Sequence, residues 1–490
     1  MILDLLLSRQ PCRLRSYEFL QATRLPLHTP ANKCRTPPSN VCLEAANYSN
    51  LMPLQNALAR EATSSCNPET FGFSSALSGH DVVIRTFSLL RPWSAGLLLT
   101  LIQLAVAVFL LAPDGPLSYR YTSLVQHDGY WFANIVDRGY QTIVPPINHK
   151  MMEVSNVAFF PAYPALAGLL RSVFRVEPET ALLITAQLAA WGFWTYFFLF
   201  CERWRLSSTL RFLGALAIVT HPAAFFLIAG YSESLFLMAL IGFIYWSSSE
   251  GRAAKLLATV HGIAMSATRI VGIPCAAFPV VRDVFRKGWS ALRNPRRWLS
   301  NYGSAVAVMI GAIFGAIFFF VYCQWRWGRW NMYMLTQSAG WNIEPDYLAV
   351  FRPSNYRWLF PALNDPTQMS QMAMTFGALL LIAVAVVELL PSIRHRTELS
   401  TRIGIYFCAG VIYYVSVSGV ASLDMESMLR YEFCVHALIV LAFLHFLHQF
   451  RVPPPLLRVF GMAAAVLVSA LGLSVQGWFV WNFTRGNWVA

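Results

Sequence analysis

The run Gln126-His127-Asp128-Gly129-Tyr130-Trp131-Phe132 places a carboxylate, an imidazole and three aromatic rings together, fewer than twenty residues beyond an apolar run at 93–112. A carboxylate at that spacing has left the lipid but stays near the membrane surface, within reach of a substrate anchored in the bilayer. Asp128 is therefore the candidate catalytic base, with His127 and Tyr130 as candidate substrate contacts. The neighbouring rings suit the headgroup level, where one edge is buried and the other hydrated. A structural reading competes: Asp before Gly-Tyr-Trp-Phe-Ala-Asn-Ile-Val is also a reasonable helix N-cap. A capping Asp can still act as a base.

Further polar residues stand out against an apolar background. Glu233, in Tyr231-Ser232-Glu233-Ser234, opens a hydrophobic run, where the helix dipole favours a carboxylate; it either stabilises that terminus or lines a site. Arg269 lies between two stretches too short to span comfortably, a costly position that implies a partner or an anionic ligand. Arg430, in Ser427-Met428-Leu429-Arg430-Tyr431, sits near a helix N-terminus with the wrong sign for the dipole, so an anion or carboxylate is expected beside it. Asp424 and Glu426 are the local candidates for that role. Trp and Arg interleaved from Tyr322 to Trp330 read as an interfacial belt. Gln337 and Trp341 beyond it are types that bind sugar hydroxyls and stack on sugar rings.

These residues need elements to position them. The chain has 490 residues, 56% hydrophobic and 12% charged, about half the charged fraction of an average soluble domain. Apolar runs near span length fall at 93–112, 179–200, 209–228, 232–247, 302–323, 372–391, 403–419, 431–449 and 458–481. A Gly- and Pro-broken pair lies at 254–281. The expected fold is all-α, a polytopic transmembrane helix bundle of about nine to eleven spans, with juxtamembrane helices in a large first extracytoplasmic loop. The segment 159–174 is short, begins Phe-Phe-Pro-Ala-Tyr-Pro and carries Arg171, which predicts an interfacial helix. Residues 1–88 are rich in Ser, Asn, Pro and Thr, and read as a disordered cytosolic tail or an over-extended start. Residues 89–490 form the membrane domain.

Topology tests this assignment. With a cytosolic N-terminus and a turn near Arg269, the short cytosolic loops carry sixteen Lys or Arg, from Arg203 to Arg458, and the short outer loops two, Arg269 and Arg430. Asp128, His127, Asp137, Glu233, Arg269, Gln337, Trp341, Asp424, Glu426 and Arg430 then share the outer side, with loops 113–178 and 324–371 feeding one site. The net charge of +13 follows from this loop bias and not from a nucleic-acid-binding face. The nine Cys residues lack metal-type spacing, and no phosphate-cradling loop, dinucleotide fingerprint or His-Glu-x-x-His occurs. No metal or cofactor is expected. Of the glycosylation sequons at Asn47 and Asn482, only the second falls on the expected outer face.

Six motifs occur in order: Asp128-Gly129-Tyr130-Trp131-Phe132 with Gly139-Tyr140, Val157-Ala158-Phe159-Phe160-Pro161-Ala162-Tyr163-Pro164, Tyr231-Ser232-Glu233-Ser234-Leu235-Phe236, Thr268-Arg269, Gln337-Ser338-Ala339-Gly340-Trp341 and Ser427-Met428-Leu429-Arg430-Tyr431. Together they resemble the PIG-V, or glycosylphosphatidylinositol mannosyltransferase 2, family of GT-C membrane glycosyltransferases, in a form similar to its bacterial members. The resemblance covers about residues 90–450 and departs from the usual pattern at Thr268-Arg269-Ile270. It implies a GT-C-type bundle that transfers mannose from a polyprenyl-phosphate donor to a lipid or glycan acceptor. The face would be periplasmic in a bacterial inner membrane or luminal in the endoplasmic reticulum. It also implies that Asp128 matches the acidic residue taken as base.

A single inverting displacement needs only one carboxylate, because the phosphate leaves as a stable anion and needs no protonation. Arg430 first and Arg269 second are the guanidiniums expected at the departing oxygens. His127 orients Asp128 or touches the phosphate, and Tyr130, Glu233, Gln337, Trp341 and Tyr431 complete the expected substrate contacts. Transfer of a different sugar from the same carrier, a lipid or sugar transporter, and a non-enzymatic scaffold are the rival readings. A transporter should show internal repeats with matched broken helices, and the break at 254–281 has no evident counterpart.

Overall fold

The computed structural model describes residues 79–143, 155–288, 295–359, 361–362, 364–390, 399–449 and 455–489. The tail up to residue 78, Cys12, Cys34, Cys42, Cys66, Asn47 and the loop charges Arg293, Arg394, Arg396 and Arg451 lie outside them. The described secondary structure is helical: α1 Gly79–Ala105 (continued by a π turn, Val106–Leu111), α2 Leu117–Thr122, α3 Asp128–Arg138, α4 Ala162–Phe174, α5 Pro178–Arg203, α6 Ser208–Val219, α7 Glu233–Ser247, α8 Arg252–Thr268, α9 Gly272–Cys275, α10 Phe278–Lys287, α11 Pro295–Trp327, α12 Met332–Trp341, α13 Pro366–Leu389, α14 Ser400–Val420, α15 Met428–His448 and α16 Pro455–Phe483. Among the described residues, seven helices are long and apolar enough to cross a membrane: Arg91–Leu111, Pro178–Arg203, Ser300–Trp327, Pro366–Leu389, Ser400–Leu423, Met428–His448 and Gly461–Phe483. The protein is an all-α polytopic bundle.

Two helices form its centre. In α15, 67% of the most apolar window is buried, against 17% in the window of α16. α7 is only 15 residues long, yet its buried residues run consecutively from Glu233 to Leu237 and from Ala239 to Ile244. A helix that is apolar on every side belongs inside a bundle. α7 packs between α5 and α8, and α15 between α13 and α14. The site is built at the N-terminal ends of these two central helices.

Local sequence explains the departures from expectation. The run 209–228 is not one helix: α6 ends at Val219 and a 3-10 turn follows at Ala224–Leu227. Pro222 lacks an N–H and disfavours helical backbone at His221 before it, so the helix stops there. The pair at 254–281 does turn at Arg269, whose backbone is extended (φ −151, ψ 145) between α8 and the short α9. The first large loop carries α2, α3 and α4. α4 has an inner face (Tyr163, Pro164, Ala167) and an exposed apolar one (Leu166, Leu169, Val173, Phe174), as an interfacial helix requires. α1 starts at Gly79, and its stretch long and apolar enough to cross a membrane begins at Arg91.

Several basic residues counted among the short cytosolic loops lie in helices and are held by partners there. Arg402 is fully buried in α14, with Nε and Nη2 donating to the two oxygens of Glu388 at 2.6 and 3.0 Å. Arg203 donates to the Tyr245 carbonyl and to Ser249, with its guanidinium 3.3 Å from the Tyr245 ring centre. Arg282 pairs with Asp283 and donates to the Ser247 carbonyl.

Candidate active site

Asp128 is the first residue of α3, and His127 before it is the N-cap, with φ 47 and ψ −110 and no side-chain capping bond. The expected Asp N-cap is therefore not formed. The carboxylate turns instead to Arg430, 302 residues away, and accepts from its Nη1 at 2.7 Å. Arg430 does not pair with Asp424 or Glu426, the local alternatives. Its Nη2 donates to Ser427 at 2.9 Å and its Nη1 lies 3.7 Å from Glu233 Oε1. The same Glu233 oxygen accepts from Arg269 Nη2 at 2.7 Å. Asp128, Glu233, Arg269 and Arg430 thus form a contiguous quartet whose formal charges cancel.

Chain geometry makes this convergence possible. Residues 124–129 run against 229–231, joined by the Gly230 N–H donating to the Leu124 carbonyl at 3.0 Å. Gly129 is required by that contact: a Cβ there would meet Val125 Cγ1 at 2.9 Å and the Gly230 carbonyl at 3.2 Å. The close approach brings the start of α7, and so Glu233, beside Asp128. Of the seven non-glycine residues with positive φ among the described residues, four lie in the segments entering α3 and α15: His127, Asp424, Met425 and Ser427. Such backbone is costly for side chains with a Cβ and persists where surrounding structure dictates it.

Exposure grades the quartet. Glu233 is fully buried and the Arg430 side chain is 5% exposed, whereas that of Asp128 is 24% exposed. Of the two carboxylates in the quartet, Asp128 is thus the accessible one. Several buried polar atoms around it have no partner: Glu233 Oε2, Arg430 Nε, His127 Nε2 and Ser234 Oγ. Buried polar atoms are ordinarily paired, so a ligand or solvent is called for here. Glu426, in the loop before α15, has its carboxyl pKa raised above 4.5; burial is the main cause and Asp128 adds to it, against the lowering by Arg430.

The other expected contacts divide. Tyr431 joins the quartet, with the Arg269 guanidinium 5.1 Å from its ring centre. Trp341 packs edge-on against Trp131 and Phe159, with centroids 5.1 and 5.6 Å apart. Trp131 lies three residues after Asp128 on α3 and shares its face, so this aromatic wall stands one turn from the carboxylate. Gln337 is already engaged, its Nε2 donating to the Ala158 carbonyl at 2.9 Å, where it fixes the segment leading to Phe159. Tyr130 faces away from the quartet: its hydroxyl donates to Gln126 at 3.0 Å, and its pKa is raised by partial burial, then by Glu179 and Tyr119. Trp131 occupies the place in the site that Tyr130 was expected to take.

One wall had no forerunner in the sequence reading. Trp488, beyond α16, stands edge-on to His127 at 4.9 Å between centroids, and Arg430 lies 5.6 Å from its ring centre. A Gly-Asn-Trp tail carries no signal of where it returns.

A second polar cluster adjoins α15. His221, Glu432 and His436 bring ligand atoms within 4.8 Å of one another, the only such potential metal group among the described residues. The Ala223 N–H donates to His221 Nδ1 at 3.1 Å, so the neutral ring carries its proton on Nε2 and donates to Glu432 at 2.7 Å. That bond ties α15 to the turn after α6, while Glu432 Oε1 and His436 Nδ1 are buried without a partner.

No family model and no curated protein matches this chain. Among solved structures it is similar to ArnT from Cupriavidus metallidurans bound to undecaprenyl phosphate, with 13% identity and a TM-score of 0.44, over 84% of this chain and 77% of that one. It is also similar to the archaeal oligosaccharyltransferase AglB from Archaeoglobus fulgidus in complex with an inhibitory peptide and a dolichol-phosphate, with 12% identity and a TM-score of 0.43, over 83% of this chain. The alignment spans 56% of the archaeal protein's length.

Proposed function

We propose that residues 89–490 form a GT-C-type membrane glycosyltransferase that moves mannose from a polyprenyl-phosphate carrier to a lipid-linked or glycan acceptor, as the PIG-V-like motifs imply. The observation that carries this reading is the 2.7 Å contact between Asp128 and Arg430 inside a neutral quartet that retains unpartnered atoms. Counting α6, α7 and the pair α8 and α10 with the seven long helices brings the spans into the nine-to-eleven range. The quartet then faces the periplasm or lumen, with the N-terminus in the cytosol.

In this mechanism the acceptor hydroxyl attacks the anomeric carbon from the side of Asp128, which takes its proton. The bond from that carbon to the phosphate oxygen breaks on the opposite face, and the carrier phosphate leaves with the bonding electrons. Arg430, and behind it Arg269, supply positive charge where negative charge develops. Protonating Asp128 removes one negative charge from the quartet, so the cluster becomes net positive as the phosphate is released. The wall of Trp131, Phe159 and Trp341 offers a ring face to the sugar, and Glu233 holds both arginines in place.

The test is mass analysis of the product formed by purified, reconstituted protein from polyprenyl-phosphate mannose and a membrane lipid extract. A mannosylated lipid or glycan is expected. A donor panel distinguishes mannose from glucose or arabinose on the same carrier. Absence of turnover with every polyprenyl-phosphate sugar would refute the transferase reading.

A further inference from the structure

The segment after α16 is turned back on the site by a specific cap. The Asn487 N–H donates to the Asn482 carbonyl at 3.1 Å and the Gly486 N–H to the Phe483 carbonyl at 2.9 Å, with Gly486 at φ +84. That is the paired bonding of a Schellman cap, whose left-handed residue is best supplied by glycine. Arg485 ties the same turn to the Leu111 carbonyl at the end of the first span, at 3.0 Å. Val489 is buried beyond it. The turn presents Trp488 to His127 and Arg430.

Three neighbouring side chains here each carry a buried nitrogen without a partner: Trp488 Nε1, His127 Nε2 and Arg430 Nε. Their side chains are mutually close, with His127 4.9 Å from Trp488 between ring centroids and Arg430 5.6 Å from the Trp488 ring centre. Indole and guanidinium nitrogens only donate, and the imidazole nitrogen donates when it carries its proton. Arg430 gives one N–H of Nη1 to Asp128 and one of Nη2 to Ser427, and its Nε is the nitrogen that makes no bond. The acidic members of the quartet lie on the Nη1 side of that guanidinium.

We infer that Trp488, with His127 and Arg430 Nε, forms the donor set for an oxygen of the carrier's phosphate, so that the tail after α16 is a wall of the donor-binding site. This rests on the transferase reading above and assigns it a binding residue. The indole N–H supplies a neutral donor, which adds no charge to a balanced quartet, and its ring excludes water from the guanidinium.

The test uses full-length protein in detergent micelles and three probes: farnesyl phosphate, farnesol and inorganic phosphate, with binding followed by calorimetry. Trp488→Phe keeps the ring and removes the N–H. It is expected to weaken farnesyl phosphate roughly tenfold, as befits one hydrogen bond to a charged oxygen, with farnesol binding and the thermal midpoint unchanged. Trp488→Ala should weaken it further. Wild-type affinity of Trp488→Phe for farnesyl phosphate would overturn the inference, whatever the transfer assay gives. Loss confined to inorganic phosphate would overturn the assignment to a lipid carrier. Weakened binding in the variant combined with no turnover of any polyprenyl-phosphate sugar would leave the anion site standing and remove the transferase reading. Failure of the wild type to bind either phosphate would remove both.

Discussion

Two arginine–carboxylate pairs sit near opposite ends of α15, a 21-residue helix about 30 Å long. At its C-terminal end Arg402 is held in a closed arrangement: two nitrogens grip both oxygens of Glu388, the third donates to Gln449 at 3.0 Å, and Tyr406 donates to Glu388 at 3.0 Å. At its N-terminal end Arg430 shares its charge among Asp128, Ser427 and Glu233, and both its Nε and Glu233 Oε2 are unmatched. Both ends carry buried charge. Only one is arranged as though something else were to arrive. Completeness of hydrogen bonding separates a brace from a site more sharply than burial does, because an unmatched buried donor or acceptor carries a desolvation cost that a ligand can relieve.

The comparison can be broken first at the open end. Asp128→Asn is expected to lower sugar transfer by about 10² to 10⁴, with the thermal midpoint nearly preserved; near-full activity in the reconstituted assay would remove the base assignment. At the closed end the effect should fall on stability. Arg402→Met leaves Glu388 without its partner and should cost about 3–5 kcal/mol, read as a lowered unfolding midpoint in detergent, while activity at temperatures where the variant stays folded is near wild type. Arg430→Lys keeps the charge but loses the planar fork. Its expected signature is a donor KM raised about tenfold or more with little change in midpoint, the reverse of the Arg402 result. The smallest effect belongs to Glu426. A carboxyl whose folded pKa lies above its ordinary 4.5 stabilises the fold most below that value, and loses that contribution as pH rises through the folded value. Glu426→Gln should therefore flatten stability against pH just above 4.5, a change that parallel melts in a pH series would detect.

The residues of the quartet were legible in the sequence because charge in an apolar chain is expensive, and each of Asp128, Glu233, Arg269 and Arg430 stood at the edge of a hydrophobic run. Their pairing was not legible. Arg430 had two carboxylates nearer in the chain, Asp424 and Glu426, yet pairs with Asp128, which the contact between 124–129 and 229–231 sets beside Glu233. Register was decided just as locally: once α3 begins at Asp128, Trp131 shares its face and Tyr130 does not. The apolar content of 209–228 concealed the break at His221-Pro222, and Arg402 read as a loop charge because its partner Glu388 belongs to another apolar helix. Trp488 was out of reach, since a tail's return path depends on a cap at Gly486 and on packing that composition does not encode.

The 302-residue gap between Asp128 and Arg430 also bears on biogenesis. During synthesis the two acidic residues emerge long before their final counter-ion, with Arg269 alone to offset them. Electrical balance within the quartet therefore awaits delivery of α15, and a nascent chain stopped short of it holds one uncompensated negative charge among these residues.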